Sequence, residues 1–362
     1  MIHKRIKIAV DAMGGDFAPR AVVDGAVDAC REYDVEVILA GRENIIRREL
    51  KRHSISSLPL TLCKASEVIG MGDNPLDVVR KKKDSSIRVG MELLNDKKAD
   101  AFVSAGNSGA VVSAALFVLK RIKGIDRPAI ATILPTLQGN VILIDAGANN
   151  NCKPYHLAQF AIMGSVFSTY MLNCAKPRIG VLSNGEEESK GTDITRGAHD
   201  LLRKSSLNYI GYIEGKDVFK GTVDIVVCDG FTGNILLKVA EGTAECLSKA
   251  LKEEIGSSLL AKLGYLLAKK SFSNFKKRFD YSEYGGALLL GVSGPVVISH
   301  GRSSPYAIKN AIRVAKQFAE NKIIHHLTSD LEVSQDLLTF AKKPSLFDRL
   351  FKSDKKQEQE EL

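Results

Sequence analysis

Ala99-Asp100-Ala101-Phe102-Val103-Ser104-Ala105-Gly106-Asn107-Ser108-Gly109-Ala110 reads as an apolar run, a turn of small residues and the opening of a helical pattern. The chain repeats the arrangement. Asp229-Gly230-Phe231-Thr232-Gly233 follows the apolar run 223–228 and opens into a second long helical stretch. Small residues let a backbone approach a ligand closely, and the N–H groups and dipole of a helix start favour an anion. Neither loop carries the Gly-Lys-Ser/Thr of a phosphate-binding P-loop or the three-glycine spacing of a dinucleotide fingerprint. Each alone reads as well as a plain strand-to-helix connection; together they point to an enzyme that handles phosphate.

Outward from these loops the alternation continues. Apolar, β-branched runs at 6–10, 35–40, 99–103, 141–144, 178–182 and 223–228 predict strands, and helical patterns at 19–32, 43–53, 109–121, 155–172, 193–204 and 234–251 follow them. Strands that are apolar throughout belong in a mainly parallel sheet covered on both faces, with binding loops at the strand C-terminal ends. No Pro/Gly/Ser-rich linker divides the chain. It therefore reads as one α/β unit over 1–343, with an extra segment near 250–283 and a polar tail at 344–362 that lacks apolar periodicity and is expected to be disordered.

The 362 residues, 44% of them hydrophobic, suit a globular protein with a large core. Ile8-Ala9-Val10 is too short and too soon followed by Asp11 to be a signal-peptide core, so a cytoplasmic location is expected. Six scattered cysteines without CxxC spacing read as reduced thiols. The net charge of +9 favours anionic partners, but Trp is absent and no zinc-finger spacing or RNA-recognition aromatic motif appears, so no nucleic acid partner is expected.

The remaining strand-end loops are rich in Gly, Asn, Ser and Thr, a mix that orients and hydrogen-bonds an oxyanion. Asp11, Asp16, Asp145 and Asp229 do not form a ligand spacing that demands a metal, and no metal or cofactor is expected. Cys228 beside Asp229 follows an apolar run, and burial would make its thiol inert. His300 reads equally as a general base or as a loop histidine bonded to backbone.

Five motifs occur in order: Val10-Asp11-Ala12-Met13-Gly14-Gly15-Asp16, Ser104-Ala105-Gly106-Asn107-Ser108-Gly109-Ala110, Asp145-Ala146-Gly147-Ala148-Asn149, Cys228-Asp229-Gly230-Phe231-Thr232-Gly233-Asn234 and Tyr284-Gly285-Gly286-Ala287-Leu288-Leu289-Leu290-Gly291. Together, over residues 7–326, they resemble the bacterial phosphate acyltransferase (acyl-acyl-carrier-protein:phosphate acyltransferase) family. The resemblance implies attack of inorganic phosphate on the thioester of a fatty acyl carrier protein, giving acyl phosphate for phospholipid synthesis. It also implies a homodimer and a three-layer αβα fold with a mainly parallel mixed sheet, related to isocitrate and isopropylmalate dehydrogenases and to phosphotransacetylase. Lys190 is carried over as the charge that neutralises phosphate or the developing oxyanion, although the acidic run Glu186-Glu187-Glu188 beside it suits an orienting role as well. Asn234, placed at a helix start, is the second catalytic candidate. Gly106, Asn107, Ser108, Gly109, Asp229, Gly230, Thr232 and Gly233 are candidates for phosphate or donor binding, with His300 and Arg302 near the acyl donor. A phosphotransacetylase-like enzyme using acyl coenzyme A, a dehydrogenase on the related fold, or a non-catalytic adaptor for the carrier are the competing readings.

On a helix, Leu259, Leu260, Leu263, Leu266 and Leu267 fall along one stripe, with Lys262, Lys269, Lys270, Lys276, Lys277 and Arg278 beside or after it. Too short to span a bilayer, the stripe reads either as a contact with an anionic membrane or as a dimer or core helix. Its lysines, or Lys81-Lys82-Lys83, could receive an acidic carrier protein.

Overall fold

A computed structural model describes residues 5–333; the expected polar tail lies outside them. The first half runs β1 (Ile6–Asp11), α1 (Arg20–Glu32), β2 (Val35–Gly41), α2 (Glu43–Leu50), β3 (Leu60–Lys64), α3 (Pro75–Lys81), α4 (Ser86–Asn95), β4 (Ala101–Ser104), α5 (Ser108–Val118), β5 (Ala129–Thr136) and β6 (Gly139–Ile144). There follow α6 (Pro154–Leu172), β7 (Ile179–Leu182), α7 (Asp193–Leu202), β8 (Tyr209–Ile213), β9 (Ile225–Val227), α8 (Gly230–Ser257), α9 (Leu259–Leu267), α10 (Lys269–Phe279), β10 (Ala287–Leu290), β11 (Val296–Ile298), α11 (Pro305–Glu320) and α12 (Ile323–Val333).

The strands make one eleven-stranded sheet in the order β3-β2-β1-β4-β11-β10-β5-β6-β9-β7-β8. Strand side chains alternate between two cores: Ile8 and Val10 pack with α1, α6 and α11 residues such as Val23, Phe160 and Phe318, whereas Ala9 and Phe102 pack with α4 and α5 residues such as Met91 and Val111. Helices thus cover both faces, the expected three-layer arrangement.

The sheet has two parallel halves. β3, β2, β1, β4 and β11 run one way; the antiparallel pairings β11–β10, β10–β5 and β5–β6 reverse the direction three times; and β6, β9, β7 and β8 run the other way. The loops after β4 and β9 therefore leave opposite ends of the sheet, each still at the C-terminal end of its strand.

The 28-residue α8 runs on past the expected boundary at residue 251 to Ser257. It starts at Gly230 with Asp229 as its N-cap, so Asn234 lies inside the helix and not at its start. Leu236 and Leu237 seat its first turns on the second core. Farther along it leaves the sheet, and α9 and α10 lead the chain back to β10. The whole leucine stripe lies on α9, which ends at its C-cap Ala268 before the basic residues of α10, and all five leucines are exposed. None is a core residue of the chain.

Candidate active site

Around the C-terminal ends of β1, β4 and β11 the loops are locked to one another. Asp11 is buried, and its carboxylate accepts from the Ser104 hydroxyl at 2.7 Å and from the Met13 N–H at 3.1 Å. Burial pushes the Asp11 pKa above the usual carboxylate value, with the Ser86 and Ser104 hydroxyls pulling it back. The Ser299 N–H donates to Ser104 O, and the Asp16 N–H donates to Gly301 O, joining the β11 loop to the other two.

Two donors of the first glycine loop, Gly106 N–H and Asn107 Nδ2, are engaged within the protein. Gly106 N–H donates to Ser104 Oγ at 3.0 Å. Asn107 accepts from Ala110 N–H as the cap of α5 and donates through Nδ2 to Met71 O and Asp73 O. Gly109 faces Pro75, whose Cγ would stand 2.7 Å from an added Cβ. Ser108 is the first residue of α5.

At the opposite end, the loops after β6, β7 and β9 meet, because Val181 of β7 pairs with Val227 of β9 and Ile144 of β6 pairs with Val227 as well. Asp145 is fully buried and accepts five hydrogen bonds. Ile130 N, Gly147 N and Ala148 N donate to Oδ1, and Asn149 N and Nδ2 donate to Oδ2. Burial, the larger influence, raises its pKa, and the donors limit the rise. Asn149 O in turn accepts from Gly230 N–H at 2.8 Å, which fixes the start of α8 on this loop.

The start of α8 is capped by the protein itself. Asp229 accepts from Thr232 N–H at 3.0 Å and from the Thr232 hydroxyl at 2.7 Å, and Gly233 N–H donates to Asp229 O. A carboxylate already sits where a helix-bound phosphate would. Cys228 is buried, and burial followed by the charges of Asp145 and Asp229 raises its thiol pKa far above the usual value, so it is no nucleophile.

Lys190 lies exposed on the loop after β7. Arg196 donates to Gly191 O at 2.7 Å and Arg203 pairs with Glu188 at 2.5 Å, so α7 shapes this loop and offsets part of its acidity. Asn234 is exposed on α8, beside the 145–149 loop: a Cβ on Gly147 would be 3.5 Å from its Cβ.

A helix turns 100° per residue, so Asn234, Lys238 and Glu241 share one face of α8. Along that face α8 joins the two ends of the sheet. Lys238 Nζ lies 2.7 Å from Glu241 Oε2 and 3.3 Å from Nε2 of His300, in the loop after β11. Arg302 is exposed, with Nε 4.0 Å from Asp16. The structure thus brings Asn234 and His300 to one face of one helix and sets Asn107 and Ser108 apart at the start of another. Lys238 went unnoticed in the sequence, although its i,i+4 relation to Asn234 is legible there. Among the described residues no three His, Cys, Asp or Glu side chains group to hold a metal.

The family model described as "Fatty acid synthesis protein" matches residues 6–326. A phosphate acyltransferase of Geotalea daltonii is 54% identical over 332 residues, 92% of this chain and 96% of its own length. The chain belongs to the phosphate acyltransferase family. Another member, from Geobacter sulfurreducens, is 53% identical over 90% of this chain and 94% of its own. Among solved structures, a phosphotransacetylase from Streptococcus pyogenes covers 88% of this chain and 95% of its own at a TM-score of 0.59 and 20% identity. EutD phosphotransacetylase from Staphylococcus aureus aligns over 87% and 94% at 0.53 and 18%. These two similarities show a shared fold.

Proposed function

We propose that the chain transfers a fatty acyl group from the thioester of acyl carrier protein to inorganic phosphate, releasing acyl phosphate for phospholipid synthesis. The observation that carries this reading is the single face of α8 on which an amide, Asn234, and a cation, Lys238, meet the loops of both halves of the sheet. Phosphate is itself the nucleophile, so the protein's tasks are to bind an anion beside a thioester and to stabilise a tetrahedral oxyanion. No Ser or Cys nucleophile is required. Asn234 is the oxyanion donor in this reading, and Lys190 supplies or steers charge toward the same centre.

Incubating the protein with an acyl carrier protein thioester and phosphate, then trapping the product as hydroxamate, tests the reaction; acyl coenzyme A in place of the carrier tests the donor. Lys190→Ala and Asn234→Ala are each expected to lower kcat by about tenfold or more at an unchanged melting temperature. Wild-type kinetics in both variants would reduce these residues to loop and helix furniture.

The exposed apolar residues of α8, Phe231, Ile235, Val239, Leu247 and Leu251, support the homodimer, because a second copy of the same helix covers such a surface. The α9 leucines and the exposed Lys262, Lys269, Lys270 and Lys277 support contact with an anionic membrane on the cytoplasmic side. No helix of the described residues is long and apolar enough to cross a membrane. Lys81 and Lys83 are exposed and suit an acidic carrier, whereas Lys82 is held by Asp73 at 2.8 Å. Replacing Leu263 and Leu267 with Glu is expected to abolish sedimentation with anionic vesicles while solution activity persists. Undiminished vesicle binding would sink the membrane contact, and dissociation to monomers would reassign the stripe to the dimer.

A further inference from the structure

The turn Pro135-Thr136-Leu137-Gln138-Gly139 joins β5 to β6 and carries a leucine where a turn ordinarily carries polar residues. Leu137 is 71% exposed, and Phe279, at the end of α10, is 37% exposed. Between them opens a cavity of about 270 Å³, lined by Pro135, Leu137, Phe219, Phe279, Lys216 and Lys220. Glu214 takes the Lys216 ammonium at 2.7 Å and Asp217 takes that of Lys220 at 2.7 Å, so the lysines offer the cavity their methylene stems. Main-chain ties hold the walls. Leu137 N–H donates to Phe219 O at 2.9 Å, and Arg278 donates to Leu137 O at 2.6 Å. Arg278 O in turn accepts from the Tyr284 hydroxyl at 2.9 Å, which fixes the chain next to Phe279.

The place of the cavity in the sheet says what could fill it. β5 and β11 run the same way, because each pairs antiparallel with β10. The cavity at the C-terminal end of β5 therefore lies at the end of the sheet where the His300 loop emerges, two strands and about 10 Å along from it. On the other side an apolar line continues along α10. Phe272, Phe275 and Phe279 recur at i, i+3 and i+7, on one helix face; the Phe275 and Phe279 rings are 4.9 Å apart, and Phe272 is 5.2 Å from Tyr265 of α9. The exposed α9 leucines stand at the far end of this line. An apolar route thus joins the α9 surface to a cavity near the candidate site. The volume falls below the usual ligand-pocket range of about 300–1,000 Å³, and its two cations are neutralised, so it suits a segment of hydrocarbon and not a charged headgroup.

We propose that this cavity binds the distal part of a fatty acyl chain, and that the aromatic face of α10 is the chain's path between the cavity and the α9 surface. The assignment of the hydrocarbon as the acyl chain rests on the acyl-transfer reading above. The carbonyl end then lies against α8 and the methyl end against Phe279. Each methylene that reaches Leu137 leaves water, so long chains are held and short ones are not.

The full chain contains no tryptophan, so Phe279→Trp places a single indole emitter in the cavity wall. Bromine quenches indole only at close range. Saturating ω-bromohexadecanoate is expected to remove most of the emission, and saturating α-bromohexadecanoate, with its bromine at the carboxylate end, little of it. Leu137→Glu, at an exposed position, puts a carboxylate at the mouth of the cavity. It is expected to keep the wild-type melting temperature and to raise KM for a hexadecanoyl donor by about tenfold or more, leaving KM for a hexanoyl donor within about twofold. Equal quenching by the two isomers, or an equal change in the two KM values, overturns the proposal. So does a Leu137→Glu protein whose one change is dissociation to monomers, which gives the cavity to a second copy of the chain. Preferential ω-quenching in a protein that forms no acyl phosphate keeps the hydrocarbon site and overturns the transfer reading instead.

Discussion

Gly233→Ala is expected to lower kcat by about a hundredfold and to cost about 3 kcal/mol or more of stability, because the new methyl has nowhere to go. An added Cβ would stand 1.9 Å from Asp145 O and 3.0 Å from Cys228 Sγ. The carbonyl cannot retreat, since the end of β6 is tied on both sides: Asp145 N–H donates to Cys228 O and Ala146 N–H donates to Ile130 O. The first turn of α8 must move instead. Asn234 is the next residue, so the displacement reaches the candidate oxyanion donor directly. Gly242→Ala is the control, in the same helix but with nothing within 4 Å of the added Cβ. It is expected to stabilise by about 0.5–1 kcal/mol through helix propensity alone. Wild-type kcat and melting temperature in Gly233→Ala would show that the close approach of α8 to β6 is not a requirement.

Central strands were legible in the sequence because burial on both faces leaves a continuous apolar run, as in Ile8-Ala9-Val10 and Val141 to Ile144, all buried. β3 and β8 lie at the sheet edges, where half-exposed residues break the run, and neither was foreseen. β5 escaped notice for a different reason: it carries Pro135, a residue that argues against a strand by local rules, and its partners are antiparallel. β10 and β11, four and three residues long, are cut off by Gly291, Gly294 and Pro295 into apolar runs shorter than those read at β4, β7 and β9. Because the reversal of the sheet depends on exactly these strands, the separation of the two glycine loops to opposite ends had no local signature. The start of α8 did: Asp229 followed three residues later by Thr232 is an N-cap pattern, and reading it would have placed Asn234 inside the helix. The partnership of Lys238 with His300 spans 62 residues of sequence, and no periodicity reports such a pair.

Asp145→Ala and Asp145→Asn are the substitutions expected to dismantle the second half of the site. Removing the carboxylate leaves the N–H groups of Ile130 and Asn149 without their acceptor in a buried setting and those of Gly147 and Ala148 without theirs in a partly buried one, while Asn149 Nδ2 keeps only Pro128 O. Each orphaned buried donor costs about 1–3 kcal/mol before relaxation, and loss of a buried charged partner typically totals about 3–5 kcal/mol. The isosteric Asn does not rescue it. If its oxygen takes the place of Oδ1, its NH2 group points at the Asn149 N–H and Nδ2 donors; if the amide is flipped, it meets the donors of Ile130, Gly147 and Ala148. Either way a donor confronts donors. The consequence for function runs through Asn149 O, which holds Gly230 at the start of α8, so Asn234 loses its register against the 145–149 loop. Hydrogen exchange checks the mechanism locally: amides 147–149 and the first turn of α8 should lose protection in Asp145→Asn, while β1, β2 and β4 in the other half of the sheet keep theirs. Wild-type protection at 147–149 with wild-type kcat would mean that the loop holds its shape without the carboxylate, and that the five hydrogen bonds follow from the site's geometry and do not create it.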